Sequence, residues 1–128
     1  AIVADEIKGI LYIGGQFTNA GSINASYIVA YNNITGIFTP LTDSVTGGEG
    51  TKGNVLSLAL DTVNSKLYLG GEFTKVGGET ITASYIACWD ILNSKFLPLT
   101  DADTLGEGAD DYVRCLALNS NNSKSFKI

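Results

Sequence analysis

The 128-residue chain has no histidine and no methionine, two prolines, two cysteines, and charge on only 16% of its residues. Without histidine it lacks the usual ligand of copper, zinc and haem, and the usual base of Ser-His-Asp chemistry. Without methionine there is no initiator residue, so the sequence reads as a processed chain or a segment of a longer one. Cys88 and Cys115 are too few for a disulfide framework or a zinc site. They read as two small buried hydrophobes, with one bridge between neighbouring strands as the alternative in an oxidising compartment. A net charge of −5 and a pI near 4.4 offer no cationic footprint for nucleic acid or an anionic membrane surface. No apolar run is long enough for membrane insertion, and Ala1–Asp5 lacks the basic and apolar regions of a signal peptide.

What is present is β-rich: 45% hydrophobic residues, 15 glycines, and 32 Asn, Ser and Thr residues, a mixture that suits turns and half-exposed strands. It is also repeated. LYIGGQFTNA at 11–20 returns as LYLGGEFTKV at 67–76, identical at six of ten positions with an offset of 56. After a two-residue insertion, ASYIVAYNNITGIFTPLTD at 25–43 returns at 83–101 with nine of nineteen identical and an offset of 58. Gly48-Glu49-Gly50 recurs as Gly106-Glu107-Gly108, and VLSLALDTVNSK at 55–66 recurs as VRCLALNSNNSK at 113–124. Ile2–Asp5 matches Leu58–Asp61. The organisation is one unit, 1–128, with a partial strand in 1–10, repeat copies at 11–66 and 67–124, and a degenerate third start at 125–128.

Each copy predicts four short strands, at 55–61, 66–74, 84–90 and 95–99 in the best-defined case. TVNS (62–65) and ILNS (91–94) read as hairpin turns. Gly70-Gly71 suits a bulge or a close backbone approach. Pro98 suits an edge strand, since it cannot donate to a ladder. No segment has a capped 3.6-residue period, so no helix is expected. Apolar residues on both strand faces fit a sheet covered on each side. The fold class is therefore all-β, built of β-propeller blades that are four-stranded antiparallel meanders: two full repeats and partial ones at both ends. A β-sandwich leaves the long period unexplained, and a β-solenoid has a shorter one.

At LYIGGQFT and LYLGGEFT, followed by SYIVAY and SYIACWD, the chain resembles the kelch-like "delta-60" repeats, with their pattern LYxGGxFTxxGG…IAxWD…F/WxPL. Such repeats occur in secreted bacterial proteins, in virus and phage proteins and in a fungal surface protein. The resemblance implies that Gly14, Gly15, Gly70 and Gly71 sit mid-strand where backbones crowd. It also implies that Phe17, Phe73, Tyr31 and Trp89 fill the cores between blades. Two departures stand out: Ser22 replaces Gly78 of the second copy, and Ser125–Ile128 replaces the expected LYLG.

The acidic loop 101–111 is the one stretch that resembles a metal site. Asp101, Asp103, Glu107, Asp110 and Asp111 carry the hard oxygens that Ca²⁺ takes. An EF-hand fails there at Leu105 and Tyr112, and the first copy keeps only Asp43 and Glu49, so a solvated turn is the better reading. The repetition of Asp43 at Asp101 and of Glu49 at Glu107 points to acids that accept turn N–H groups rather than to a catalytic pair. Tyr27, Tyr85 and Tyr112 suit sugar stacking or rim packing. GGEG at 47–50 lacks the Lys-Ser/Thr of a phosphate loop. Asn24, Asn33 and Asn121 head N-x-S/T acceptors, which matter only in a eukaryotic secretory pathway.

These readings converge on a non-enzymatic structural or interaction protein without a cofactor, extracellular or on a virion or cell surface. Its expected partners are further blades, from the same longer chain or from identical copies in an oligomer or filament. The alternative is a carbohydrate-binding propeller module that takes a glycan. A copper-oxidase reading has no histidine ligands to use.

Overall fold

The structure is a computed structural model that describes residues 1–119. The third start at 125–128, the last residues of the second copy and the Asn121 acceptor lie outside the described residues. Every element among the described residues is a strand. The first sheet, sheet 1, contains β1 (Ile2–Asp5), β2 (Ile10–Gly14), β5 (Ile28–Asn32) and β6 (Ile37–Pro40). Between β2 and β5 the chain makes a small hairpin of β3 (Asn19–Ala20) and β4 (Ile23–Asn24). The second sheet, sheet 2, contains β7 (Val55–Asp61), β8 (Lys66–Gly71), β11 (Ile86–Asp90) and β12 (Lys95–Pro98). It carries the matching hairpin of β9 (Lys75–Val76) and β10 (Ile81–Thr82).

Each sheet is an antiparallel meander, in the orders β1-β2-β5-β6 and β7-β8-β11-β12. The four strands foreseen in each copy are present, with Pro40 and Pro98 on the edge strands β6 and β12. The small hairpins were not foreseen; two-residue strands are too short to show a period. The two-residue insertion falls in the second of them, where Gly77–Thr80 replaces the turn Gly21-Ser22. The register slips between Val55 and Ser57, a bulge on β7 opposite Gly70 and Gly71 rather than in the glycine strand itself.

Six turns use one device. Asp5, Asn32, Asp61 and Asp90 close the strand before each hairpin, and their side-chain oxygens accept N–H groups two or three residues on. Asp43 and Asp101 do the same in the loops that leave each sheet. The fourth residue after each of these has positive φ: Gly9, Gly36, Gly47, Ser65, Ser94 and Leu105. That conformation suits glycine and strains a bulky side chain. At 47 the chain supplies glycine; at 105, with φ of 63°, it supplies a leucine that is 75% exposed. Leu105→Gly is expected to stabilise by about 0.5–1 kcal/mol, strain relief exceeding the added freedom of the unfolded chain. Chemical denaturation checks this, and a lower midpoint contradicts it.

The two sheets stack, and their facing sides make one core. Tyr12, Ile28 and Leu41 from sheet 1 meet Val55, Leu58, Leu67, Leu69, Trp89 and Phe96 from sheet 2. Trp89 and Phe96 pack ring on ring at 4.6 Å. Tyr31 and Phe38 make the matching pair in sheet 1, at 4.7 Å, but on its outer side, where both stay partly exposed.

Candidate functional site

The feature of this molecule most able to carry function is the face by which one sheet takes the next. One of its close points is Gly14, the last residue of β2. A Cβ there would lie 2.5 Å from Val55 Cγ1 and 3.0 Å from Val55 Cβ. Gly70 repeats the arrangement: its Cβ would lie 2.7 Å from Val113 Cγ1. Gly14 is the last residue of β2 and Gly70 the last but one of β8, so both sit near the strand end, where the chain turns into the small hairpin, rather than mid-strand. Gly71 is crowded by the backbone of Asn54, whereas Gly15 meets only the Phe17 ring at 3.3 Å. Backbone crowds Gly71 and approaches Gly70, whereas Gly14 is crowded by side chains alone and Gly15 only slightly.

Burial depends on which copy has a neighbour. Leu67, Leu69, Phe73, Val76, Trp89 and Phe96 are buried, while their counterparts Leu11, Ile13, Phe17, Ala20, Tyr31 and Phe38 are only partly so. The pattern reverses on the other side of each sheet. Tyr12, Ile28 and Leu41 are buried, while Tyr68, Ile86 and Leu99 are partly exposed. Sheet 1 covers one side of sheet 2 and nothing described covers its own outer side. Phe17 and Tyr31, expected in a core, are therefore on an open face.

Polar contacts lock the loop 41–53 to the next sheet. Asp43 is 2% exposed; its Oδ2 accepts from Phe96 N at 2.8 Å, across the sheets. Phe96 lies on the edge strand β12, so this carboxylate caps an outward N–H that water or another strand would otherwise take. Ser44 adds N–H and hydroxyl donations to Ser94 O and Asn93 O. Gly77 N and Gly78 N donate to Gly50 O and Glu49 O. Glu49 accepts both Ser26 N and Ser26 Oγ at 2.8 Å, and Glu107 accepts both Ser84 N and Ser84 Oγ, at 2.8 and 2.7 Å. These staples sit beside Tyr27 and Tyr85, both held at φ of 68°, a conformation that persists where surrounding bonds over-determine it. The repeated acids thus accept turn and strand N–H groups, as their repetition suggested.

Among the described residues no group of three or more His, Cys, Asp or Glu could hold a metal ion. In the acidic loop, Asp101 accepts from Asp103 N and Thr104 N, and Glu107 is engaged with Ser84. Asp103, Asp110 and Asp111 are exposed and do not converge with them. Tyr85 packs on Tyr112 at 5.6 Å, with Arg114 over the Tyr112 ring, so these tyrosines pack at the rim. Cys88 is buried and Cys115 exposed, both free, so the alternative bridge is not formed. Burial raises the Cys88 thiol pKa. Asn24 and Asn33 are exposed.

No family model matches the chain, and no curated protein or solved structure does. The site rests on its own geometry, which includes one opening. A cavity of about 400 Å³ lies between the sheets, lined by Tyr12, Thr39, Pro40 and Leu41 on one side and Trp89 and Ser94 on the other. Sequence reasoning missed it, because it is made by residues about 50 to 80 positions apart that meet only when the sheets stack.

The Asp43 clasp has a pH signature. Burial alone raises the Asp43 pKa, but the N–H groups of Phe96, Thr46 and Val45 outweigh it and hold the carboxyl below its ordinary range. A depressed folded-state pKa gives stability that is complete above the unfolded value, about 4, and lost as pH falls through the folded one. Asp61, Asp90 and Asp101 are depressed too and share this acid limb. Asp43→Asn is expected to cost about 1–3 kcal/mol at pH 7 and to shrink that deficit below the folded pKa of Asp43. A deficit independent of pH, measured by denaturation at several pH values, contradicts the clasp.

Proposed function

We propose that this chain is a non-enzymatic structural or interaction module whose sheets are β-propeller blades of a surface, filament or virion component. One observation carries the reading: equivalent residues are buried in the copy that has a neighbouring sheet and open in the copy that lacks one. A sheet of this kind is built to be covered on both sides, and stacked repeats bury a continuous core only through neighbours. Its natural partners are further blades, of the same longer chain or of identical copies. The repeat spacing and the LYxGGxFT…IAxWD pattern support radial blades of a kelch-like kind. The extracellular, virion or cell-surface setting rests on that resemblance.

The second reading, a glycan-binding propeller, is favoured by the cavity between the sheets. It combines Trp89 and Tyr12 with the hydroxyls of Thr39, Thr42 and Ser94, the mixture of apolar face and polar group that small ligands use.

Two measurements test these readings. Gly14→Val is expected to lower stability by roughly 2 kcal/mol or more through overpacking against Val55; an unchanged melting temperature contradicts the stacked-blade reading. On a glycan array, absence of specific binding supports the structural role. Binding that Trp89→Ala abolishes supports the second reading instead.

A further inference from the structure

The hydroxyls that hold this structure together have partners within it. Ser26 and Ser84 donate to Glu49 and Glu107, Ser44 to Asn93 O and Thr51 to Gly53 O. The cavity between the sheets is different. Its lining carries five polar side chains: Tyr12, Thr39 and Thr42 on the sheet 1 side, and Trp89 and Ser94 on the sheet 2 side. None of these side chains makes a hydrogen bond among the described residues. Two of them are deeply placed, Tyr12 at 7% exposure and Trp89 at 6%. A polar group so far inside normally has a partner. No side-chain nitrogen or oxygen shut off from solvent lacks one among the described residues. The Tyr12 hydroxyl and the Trp89 N–H therefore keep access to open space, and the opening that both residues line is this cavity.

Those groups define the chemistry of an occupant. The indole N–H only donates, while the phenol, threonine and serine hydroxyls donate or accept. The rest of the lining is apolar, Leu41 and Pro40 included, and no charged residue among those described lines the cavity. A carboxylate or ammonium brought in would lose its water and meet no opposite charge, which is costly. Asp43, next in sequence to Thr42, is already engaged with the N–H groups of Phe96, Val45 and Thr46. A chain of net charge −5 also disfavours anions. The volume of about 400 Å³ is near the lower end of the range for small-molecule sites, about 300–1,000 Å³. It suits the end of a chain rather than a length of polymer.

We propose that this cavity binds the terminal ring of a neutral sugar, a hexopyranose without carboxylate, sulfate or amine. Its oxygens accept from Trp89 Nε1 and share hydrogen bonds with the hydroxyls of Tyr12 and Ser94. The inference rests on the glycan-binding reading and adds to it the class of sugar and the groups that hold it. A pyranose has an apolar C–H face with hydroxyls around its edge, which matches apolar walls framed by hydroxyls and an indole N–H. Tyr12 and Ser94 lie on the two sides of the cavity, so a bound ring joins the sheets. Binding to the folded state alone then raises its stability.

Trp89 is the single tryptophan of the chain, so its fluorescence reports on the cavity directly. The test titrates the 128-residue chain with the methyl hexopyranosides of glucose, galactose and mannose, and with glucuronic acid and N-acetylneuraminic acid. At least one neutral glycoside is expected to change the emission saturably and to raise the melting temperature. Tyr12→Phe and Ser94→Ala each remove one hydroxyl and are expected to weaken that binding about three- to tenfold. The melting temperature of each free variant shows that it is folded. Tyr68→Phe, the counterpart of Tyr12 outside this cavity, is expected to leave the binding unchanged. Binding that either cavity variant leaves unchanged, or that Tyr68→Phe weakens as much, overturns the placement in the cavity. Saturation by an acidic sugar at equal or lower concentration overturns the neutral class. If no sugar alters emission or melting, the inference fails, and the glycan array then separates the two readings. Binding there that depends on Trp89 leaves the glycan reading standing, whereas a blank array removes both.

Discussion

The close approach of a valine to a glycine near the end of the preceding sheet's second strand sets the rest of the structure. At Gly14 the β-carbon is replaced by Val55, and at Gly70 by Val113. Because no side chain separates them, the sheets come near enough for Tyr12, Ile28 and Leu41 to reach Trp89 and Phe96. Close-packed interiors tolerate little slack, so this one contact fixes the spacing over the whole shared face. The same glycine–valine contact recurs one repeat later, at Gly70 and Val113.

Polar groups are spent on the ends of strands and the loops between sheets. An edge strand leaves N–H groups pointing outward, and unsatisfied groups of that kind are costly when buried. Asp43 meets one at Phe96, and the glutamates of the two Gly-Glu-Gly stretches meet those of Ser26 and Ser84. No buried side-chain nitrogen or oxygen among the described residues lacks a partner. Acids therefore hold turns and sheets in register here, which accounts for an acidic chain whose carboxylates are so often repeated.

Much of this was legible in the amino-acid sequence. The repeat placed the four strands of each sheet, Pro98 marked an edge, and TVNS and ILNS marked hairpins, because each signal is local. Paired Asp43 and Asp101 pointed to structural acceptors for the same reason: each accepts N–H groups of its own turn. What stayed hidden was non-local. The bulge lies on β7, not in the glycine strand, since it is the partner that must yield. Phe17 and Tyr31 look like core residues until it is known which side of the sheet has a neighbour. Asp43 as a clasp on Phe96 joins positions 53 apart, and no spacing rule announces it. The acidic loop shows the opposite failure, a cluster in sequence that does not converge in space.

The claim that the Gly14–Val55 fit sets the stacking is tested most directly by a double-mutant cycle in urea. Gly14→Ala and Val55→Ala are measured singly and together. Removing Cγ1 from Val55 makes room for the new β-carbon, so the double variant should be more stable than the sum of the two costs predicts, by more than about 0.5 kcal/mol. Strictly additive costs would mean that the two residues do not meet, and the stacking described here would be wrong.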